Sequence, residues 1–300
     1  TQFLNHSGGI EADVTVTRLA DRQFLVVTGH PSQIRDQAHI RAHADPDWRF
    51  EIFDATGAYG LLTLHGPASR TILQGLSGDD LSNAAFPFGA AREIDLAHAR
   101  VWAIRRSFLG ELGYELVIPV EFTAHVYDAL QRQGARHSLK LAGMFALAAC
   151  RLEKGFRHFG HDIGEEDTPY ETGLGFAVAL DKGDFIGRAA LAAQKAAHGA
   201  ATPNRTVAVC LPAATAKDGP YLIHNEPIWK DGAIVGHVTS GGWGWRVQAM
   251  LGLATLHRKG GVTRDWIDAG GFTVQVAGRN YPVDVQLAPF YDPSGEIMRG

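Results

Sequence analysis

The sequence changes texture near residue 200, and that change constrains the fold more than any single motif. Before it, strand patterns alternate with amphipathic helical stretches. From 205 to 298 the pattern is mostly short strands between turn signals. One hairpin is marked by Asp231-Gly232 within 228–238, and another by Gly278-Arg279-Asn280 within 273–285. A chain of 300 residues is also longer than one hydrophobic core readily serves. The first part reads as a mixture of strands and helices and the last as a small barrel or sandwich, joined by the linker Ala200-Ala201-Thr202-Pro203-Asn204.

Within the first part, Val14 and Val16 alternate with Thr15 and Thr17, the period of a half-buried strand. Gln23 to Thr28 supplies a partner across an Ala20-Asp21-Arg22 turn. The polar stretch 33–49 reads as helix, then loop. A strand is predicted over 59–65, followed by a helix that Gly66-Pro67-Ala68 opens and that runs to about Leu76. Strands over 100–106 and 114–119 flank a turn at Leu109 to Gly113. Phe122, Val126, Ala129 and Leu130 share one face of a helix that Gly134 is placed to stop. Helices over 143–154 and 188–198 end at Gly155 and Gly199.

A chain 45% hydrophobic and 20% charged, with net charge −4, is not intrinsically disordered. The longest basic cluster is Arg105-Arg106, which is no footprint for nucleic acid. No apolar run reaches the ~20 residues of a membrane span, so no membrane partner is expected. Cys150 and Cys210 each lie in apolar sequence and read as buried free thiols of a reducing compartment. No Cys/His spacing for zinc is present, and no metal is expected. The chain opens at Thr1 without a secretory pattern. The expectation is a fragment or processed chain, cytoplasmic, or in the mitochondrial matrix if eukaryotic.

Several stretches could carry chemistry. In Gly8-Gly9-Ile10-Glu11-Ala12-Asp13-Val14 the two carboxylates lie two apart on a strand and so share a face, directly after a double glycine that permits close approach. In Gly110-Glu111-Leu112-Gly113-Tyr114-Glu115-Leu116, alternation turns Glu115 away from its apolar neighbours, to solvent or a pocket. His158, His161 and Asp162 invite a metal reading, but no fourth ligand is signalled and hydrogen-bonding histidines fit better. Thr239 to Trp245 is glycine-rich without the strand–loop–helix context or Gly-Lys-Ser/Thr of a phosphate loop. No Gly-x-Ser-x-Gly elbow occurs, so a serine hydrolase has no support.

Taken together, five ordered motifs give the chain a family likeness. They are 4–13 (Leu-Asn-His-Ser-Gly-Gly-Ile-Glu-Ala-Asp), 65–70 (His-Gly-Pro-Ala-Ser-Arg), 80–88 (Asp-Leu-Ser-Asn-Ala-Ala-Phe-Pro-Phe), 110–116, and 151–158 with Glu166-Asp167-Thr168-Pro169 after it. Over essentially its whole length the chain resembles the folate-binding aminomethyltransferase family, the T-protein of glycine cleavage and its relatives. Within it, the likeness is strongest to the C-terminal half of sarcosine and dimethylglycine dehydrogenases. The resemblance implies an α+β fold of three domains in a cloverleaf around a central hole for tetrahydrofolate. A discontinuous first domain would take 1–49 and 137–200, with its opening strands missing, a second α+β domain 50–136, and a C-terminal small β-barrel 203–298. In the dehydrogenases an FAD-binding, amine-oxidising domain precedes this unit, so FAD and a flavin-domain partner are expected only in a missing N-terminal part of the same polypeptide.

The resemblance also assigns roles. Asp13 matches the catalytic acid, which balances a cationic one-carbon unit and takes up a proton. Glu115 matches the carboxylate that grips the two-donor edge of the pterin. Glu11, Phe108 and Tyr114 are expected beside the folate. Phe108 stands where many members carry Tyr, Tyr114 where Trp is common, and Leu147 where the glycine-cleavage members have Arg. The implied reaction is capture of a methylene group from N-demethylation of a methylated glycine, giving 5,10-methylenetetrahydrofolate. The alternatives are a stand-alone S- or O-demethylase of the same fold and a folate-binding module without strong activity.

Overall fold

The computed structural model describes residues 1–215 and 218–300. In chain order the elements are β1 (Gln2–Leu4), β2 (Ile10–Asp13), β3 (Thr15–Ala20), β4 (Gln23–Val27) and α1 (Gln33–Ala42). Then come β5 (Tyr59–His65), α2 (Ser69–Gln74), β6 (Ala91–Leu96), β7 (Ala99–Ile104), β8 (Gly113–Pro119), α3 (Thr123–Ala135), α4 (Met144–Glu153) and α5 (Arg188–His198). The last third holds β9 (Asn204–Leu211), β10 (Pro227–Lys230), β11 (Ala233–Gly244), β12 (Ala249–His257), α6 (Arg264–Asp268), β13 (Thr273–Val276), β14 (Arg279–Pro282), β15 (Asp284–Gln286) and α7 (Glu296–Arg299). The chain divides into two compact units. The first is Thr1–Val16, Val26–Ala42 and Ala148–Pro293, and the second Thr17–Leu25, His43–Leu147 and Ser294–Gly300.

The core of the first unit is a seven-stranded antiparallel sheet in the order β14-β13-β10-β11-β12-β9-β15. Its two outer strands, β14 and β15, are separated in sequence only by Val283. Edges joined by one residue must meet, so the sheet curls on itself into a barrel. Ile228, Val238, Met250, Leu256 and Val274 fill its interior. Asp231 (φ 51°) and Gly232 (φ 79°) make the β10–β11 hairpin turn with positive φ at both central residues. The β13–β14 turn sits one residue earlier than the sequence suggests, at Ala277 (φ 49°) and Gly278 (φ 77°).

Other features also differ from the sequence pattern. The strands β11 and β12 run 12 and 9 residues, long enough to curl round the barrel. Within β11, Gly241 is needed because a Cβ there would lie 2.2 Å from the Leu222 carbonyl oxygen. The glycine-rich stretch is a close backbone crossing. The expected linker is built in: Thr202 is buried, and Thr202 and Pro203 carbonyls accept from Val262 (2.9 Å) and Arg258 (2.8 Å). Val14 is buried but Val16 is exposed and Thr17 buried instead, because β2 ends at Asp13 and the alternation restarts in β3.

The second unit is built on a four-stranded antiparallel sheet, β5-β8-β7-β6. Leu64, Tyr114, Leu116, Ile118, Ile94 and Val101 cover one face and pack on α2 and α3. Helix α3 continues through Gly134 to Ala135 rather than stopping there. The glycine admits Leu139, whose side chain would be 2.3 Å from a Cβ. The strand β6, with only Ile94 and Leu96 alternating among charged residues, carries little sequence signal.

Candidate functional site

The opposite face of the β5–β8 pair is polar at one end. The register sets His65 against Gly113 and Thr63 against Glu115, so all four project away from the core. Beyond β7, Arg105 and Arg106 leave the strand on opposite sides. Arg105 is buried and donates to the carbonyls of Phe86 (2.7 Å) and Arg299. Arg106 turns to the polar face, with Nε 3.0 Å from Glu115 Oε1. Glu115 is 8% exposed. Burial pushes its carboxyl above the usual carboxylate range, and the Arg106 guanidinium pulls it back. His65 packs against Gly113: a Cβ on that glycine would be 2.0 Å from Nδ1. That Nδ1 is buried and finds no hydrogen-bond partner. Burial, helped by the Arg106 charge, lowers the imidazole to about 4, so it is neutral at physiological pH.

Tyr114 faces the other way. It is fully buried in the core beside Phe86, and its hydroxyl accepts from Arg70 Nε at 3.3 Å. It has no exposed surface to give a ligand. Phe108 is half-buried in the loop between β7 and β8. There Ser107 Oγ accepts from the backbone N–H groups of Leu109 (3.1 Å) and Glu111 (3.3 Å).

The other acids belong to the first unit. Glu11 is half-buried and Asp13 exposed, alternating with buried Ile10, Ala12 and Val14, so the two carboxylates share a face as their spacing implies. Gln2 Nε2 donates to Asp13 Oδ1 at 3.0 Å, and Arg35 donates to the Glu11 carbonyl. The double glycine beside them serves packing. A Cβ on Gly9 would lie 1.9 Å from the Glu165 carbonyl oxygen, and one on Gly8 3.0 Å from Leu191. Asn5 ties the turn, its Oδ1 accepting from Ser7 (3.0 Å) and Gly9 (2.9 Å) and its Nδ2 donating to Glu165 (3.0 Å).

The stretch from Arg151 to Asp162 is a clasp of buried charges. Asp162 accepts from Arg151 Nη1 (2.6 Å), Thr239 Oγ1 (2.5 Å) and the His158 N–H (2.9 Å). Glu153 accepts from Arg246 Nε (2.5 Å) and Lys154 Nζ pairs with Asp292 (2.9 Å). With its oxygens so engaged, Asp162 is no metal ligand, and among the described residues no group of His, Cys, Asp and Glu is arranged to hold an ion. His158 and His161 stack at 4.7 Å on the surface. Cys210 is buried and Cys150 half-buried, and neither is in a disulfide. No helix among the described residues is long and apolar enough to cross a membrane.

His65 and Arg106 were not singled out as site residues by the sequence. Their only signal is positional: a two-residue period puts 63 and 65, and 113 and 115, on common faces once β5 and β8 are known to pair.

Comparison with known proteins agrees with this architecture. Residues 1–182 match the GCVT N-terminal domain and residues 208–292 the glycine cleavage T-protein C-terminal barrel domain. The chain belongs to the glycine cleavage T-protein (aminomethyltransferase) family, with that family's α+β fold and C-terminal barrel. It is 40% identical over 301 residues to 4-methylaminobutanoate oxidase (formaldehyde-forming) of Paenarthrobacter nicotinovorans, covering 100% of this chain and 35% of the oxidase. Mouse mitochondrial sarcosine dehydrogenase is 35% identical over 318 residues, covering 100% of this chain and 34% of the enzyme. The chain thus spans only about a third of these relatives. An aminomethyltransferase of Saccharopolyspora erythraea is 32% identical, with 97% of this chain and 76% of that protein covered. The fold matches the glycine cleavage aminomethyltransferase T of Bartonella henselae with a TM-score of 0.78 at 23% identity, over 97% of this chain and 75% of that one.

Proposed function

We propose that this chain binds a reduced folate and uses it to capture the one-carbon unit released when an N-methylated amino acid is demethylated, giving 5,10-methylenetetrahydrofolate. The observation that carries this reading is Glu115: a buried carboxylate on the outer sheet face, raised by burial and partly drawn back toward its ionised form by Arg106 at 3.0 Å. The pterin of a folate presents two adjacent N–H donors, and an ionised carboxylate is the acceptor that matches them bidentately. The neutral imidazole of His65 adds no competing charge beside that acceptor. Tetrahydrofolate would supply the nucleophilic nitrogen. Glu115 would hold the pterin, with Phe108 and Glu11 as further contacts. Asp13, exposed at the end of β2, would balance the positive charge of the incoming carbon and take up the proton released.

The donor class follows from what the relatives are named for. Sarcosine, dimethylglycine and 4-methylaminobutanoate are all N-methylated amino acids. We infer that oxidation of the amine belongs to a flavin-containing region of the same polypeptide, in keeping with the third of the length that the chain spans. Calorimetric titration of the folded protein with tetrahydrofolate tests the reading. Heat of binding and a thermal shift are expected, and the absence of both sinks it.

A further inference from the structure

The pair Glu115–Arg106 offers more than one carboxylate. Arg106 Nε lies 3.0 Å from Glu115 Oε1. The guanidinium has no other acidic partner and no side-chain hydrogen bond among the described residues, and the side chain is 32% exposed. Arg100, farther along the same face, is taken by Glu93 (2.6 Å) and Asp95 (3.4 Å). His65, on the other side, is neutral. The polar end of the face therefore presents a carboxylate acceptor and, directly beside it, an uncommitted guanidinium donor.

We propose that Arg106 is a specificity-determining residue that reads the 4-oxo group of a pteridine whose 2-amino and N3–H groups are held by Glu115. This rests on the reading of Glu115 as the pterin anchor. Along that edge a 2-amino-4-oxopteridine presents donor, donor, acceptor in sequence. The protein presents acceptor, acceptor, donor: the two oxygens of Glu115, then the guanidinium. A 4-amino-pteridine replaces the carbonyl by a donor and N3–H by a lone pair. Arg106 then faces a donor instead of an acceptor, and an unmatched polar pair in a desolvated site is costly. A carboxylate alone does not enforce this distinction, because a 4-aminopteridine protonated at N1 also offers it two donors.

The test compares two probes, 5-formyltetrahydrofolate and the 4-amino antifolate methotrexate, by calorimetry at about pH 8, where carboxylates near their ordinary range stay ionised even when modestly raised. The proteins are wild type, Arg106→Met and Arg106→Gln, each checked by thermal melting. Gln keeps an N–H donor without the charge and guards against a Met variant that does not fold. The expected result is a wild-type preference for the 4-oxo probe. Arg106→Met should weaken that probe roughly tenfold to hundredfold, as for loss of a charged hydrogen bond, while leaving methotrexate unchanged or tighter. Arg106→Gln should fall between. If both probes weaken in parallel, Arg106 merely supports Glu115 and the inference is overturned. A preference that persists unchanged in both variants also overturns it while leaving the folate reading standing. No binding of either probe to wild type takes down both.

Discussion

His65 and Gly113 face each other across the β5–β8 pair so closely that the imidazole occupies the space a Cβ would need, with Nδ1 2.0 Å from that position. The glycine is thus a steric requirement of the histidine. Gly113→Ala should cost about 1–3 kcal/mol, the range for an overpacked site. The same change in a His65→Ala background should cost much less, since the obstructing ring is gone. Denaturant melts of the four proteins in this cycle measure the coupling, and additive costs would show that the two residues do not conflict.

The same burial makes His65 a pH-sensitive element of stability. Its native imidazole is lowered to about 4 by burial first and Arg106 second, against about 6.5 in the unfolded chain. Between these values the unfolded state binds more protons than the native state. Stability from this group is therefore fully present above about pH 6.5 and is lost as pH falls toward about 4. His65→Gln should flatten the stability profile in that window and leave it unaltered above. The measurement is unfolding free energy across the acid range, with the His65 ring titration followed by NMR.

Arg151 and Asp162 form a buried pair whose partners come from distant sequence, since Asp162 also receives Thr239 and Arg151 donates to Ser240 at 2.8 Å. Truncating one member leaves the other charge buried and uncompensated. Asp162→Ala should destabilise by about 3–5 kcal/mol. The rival view of His158, His161 and Asp162 as a metal site expects an added divalent cation to raise the melting temperature of wild type. The geometry expects no such change.

These cases show where sequence was informative. The sequence pattern located β5, β8, α3 and α5, with α3 marked by apolar residues that repeat on one face, and positive-φ glycines mark real ends at Gly155 and Gly199. It misjudged Gly134 because a glycine looks the same whether it ends a helix or admits a neighbour such as Leu139. It likewise read Gly8-Gly9 as room for a ligand, where the room is taken by Leu191 and the Glu165 carbonyl. Glu115 was legible by alternation, whereas Arg106 and His65 became visible only through cross-strand pairing, a non-local property that no local window contains.

The two carboxylates have separable roles. Glu115 is buried and charge-compensated, the setting of a group that holds something, whereas Asp13 is exposed at a strand end with Gln2 on one oxygen at 3.0 Å. Glu115→Gln replaces a two-acceptor group by one acceptor and one donor, so one pterin N–H meets a donor. An unmatched buried polar group costs about 1–3 kcal/mol, roughly a tenfold to hundredfold loss of folate affinity. Asp13→Asn keeps the size and most hydrogen bonding but removes the charge and the basic site. If Asp13 acts mainly as charge and proton transfer develop, that variant should lose far more turnover than affinity. Folate binding is measured by calorimetry. Capture is measured as the yield of 5,10-methylenetetrahydrofolate from an N-methylated amino acid oxidised by the full-length polypeptide. The expected pattern is a crossed one: Glu115→Gln weak in binding, with capture restored at saturating folate, and Asp13→Asn normal in binding with capture low at every folate concentration. Should Asp13→Asn weaken binding while capture at saturation stays intact, the two roles are assigned the wrong way round.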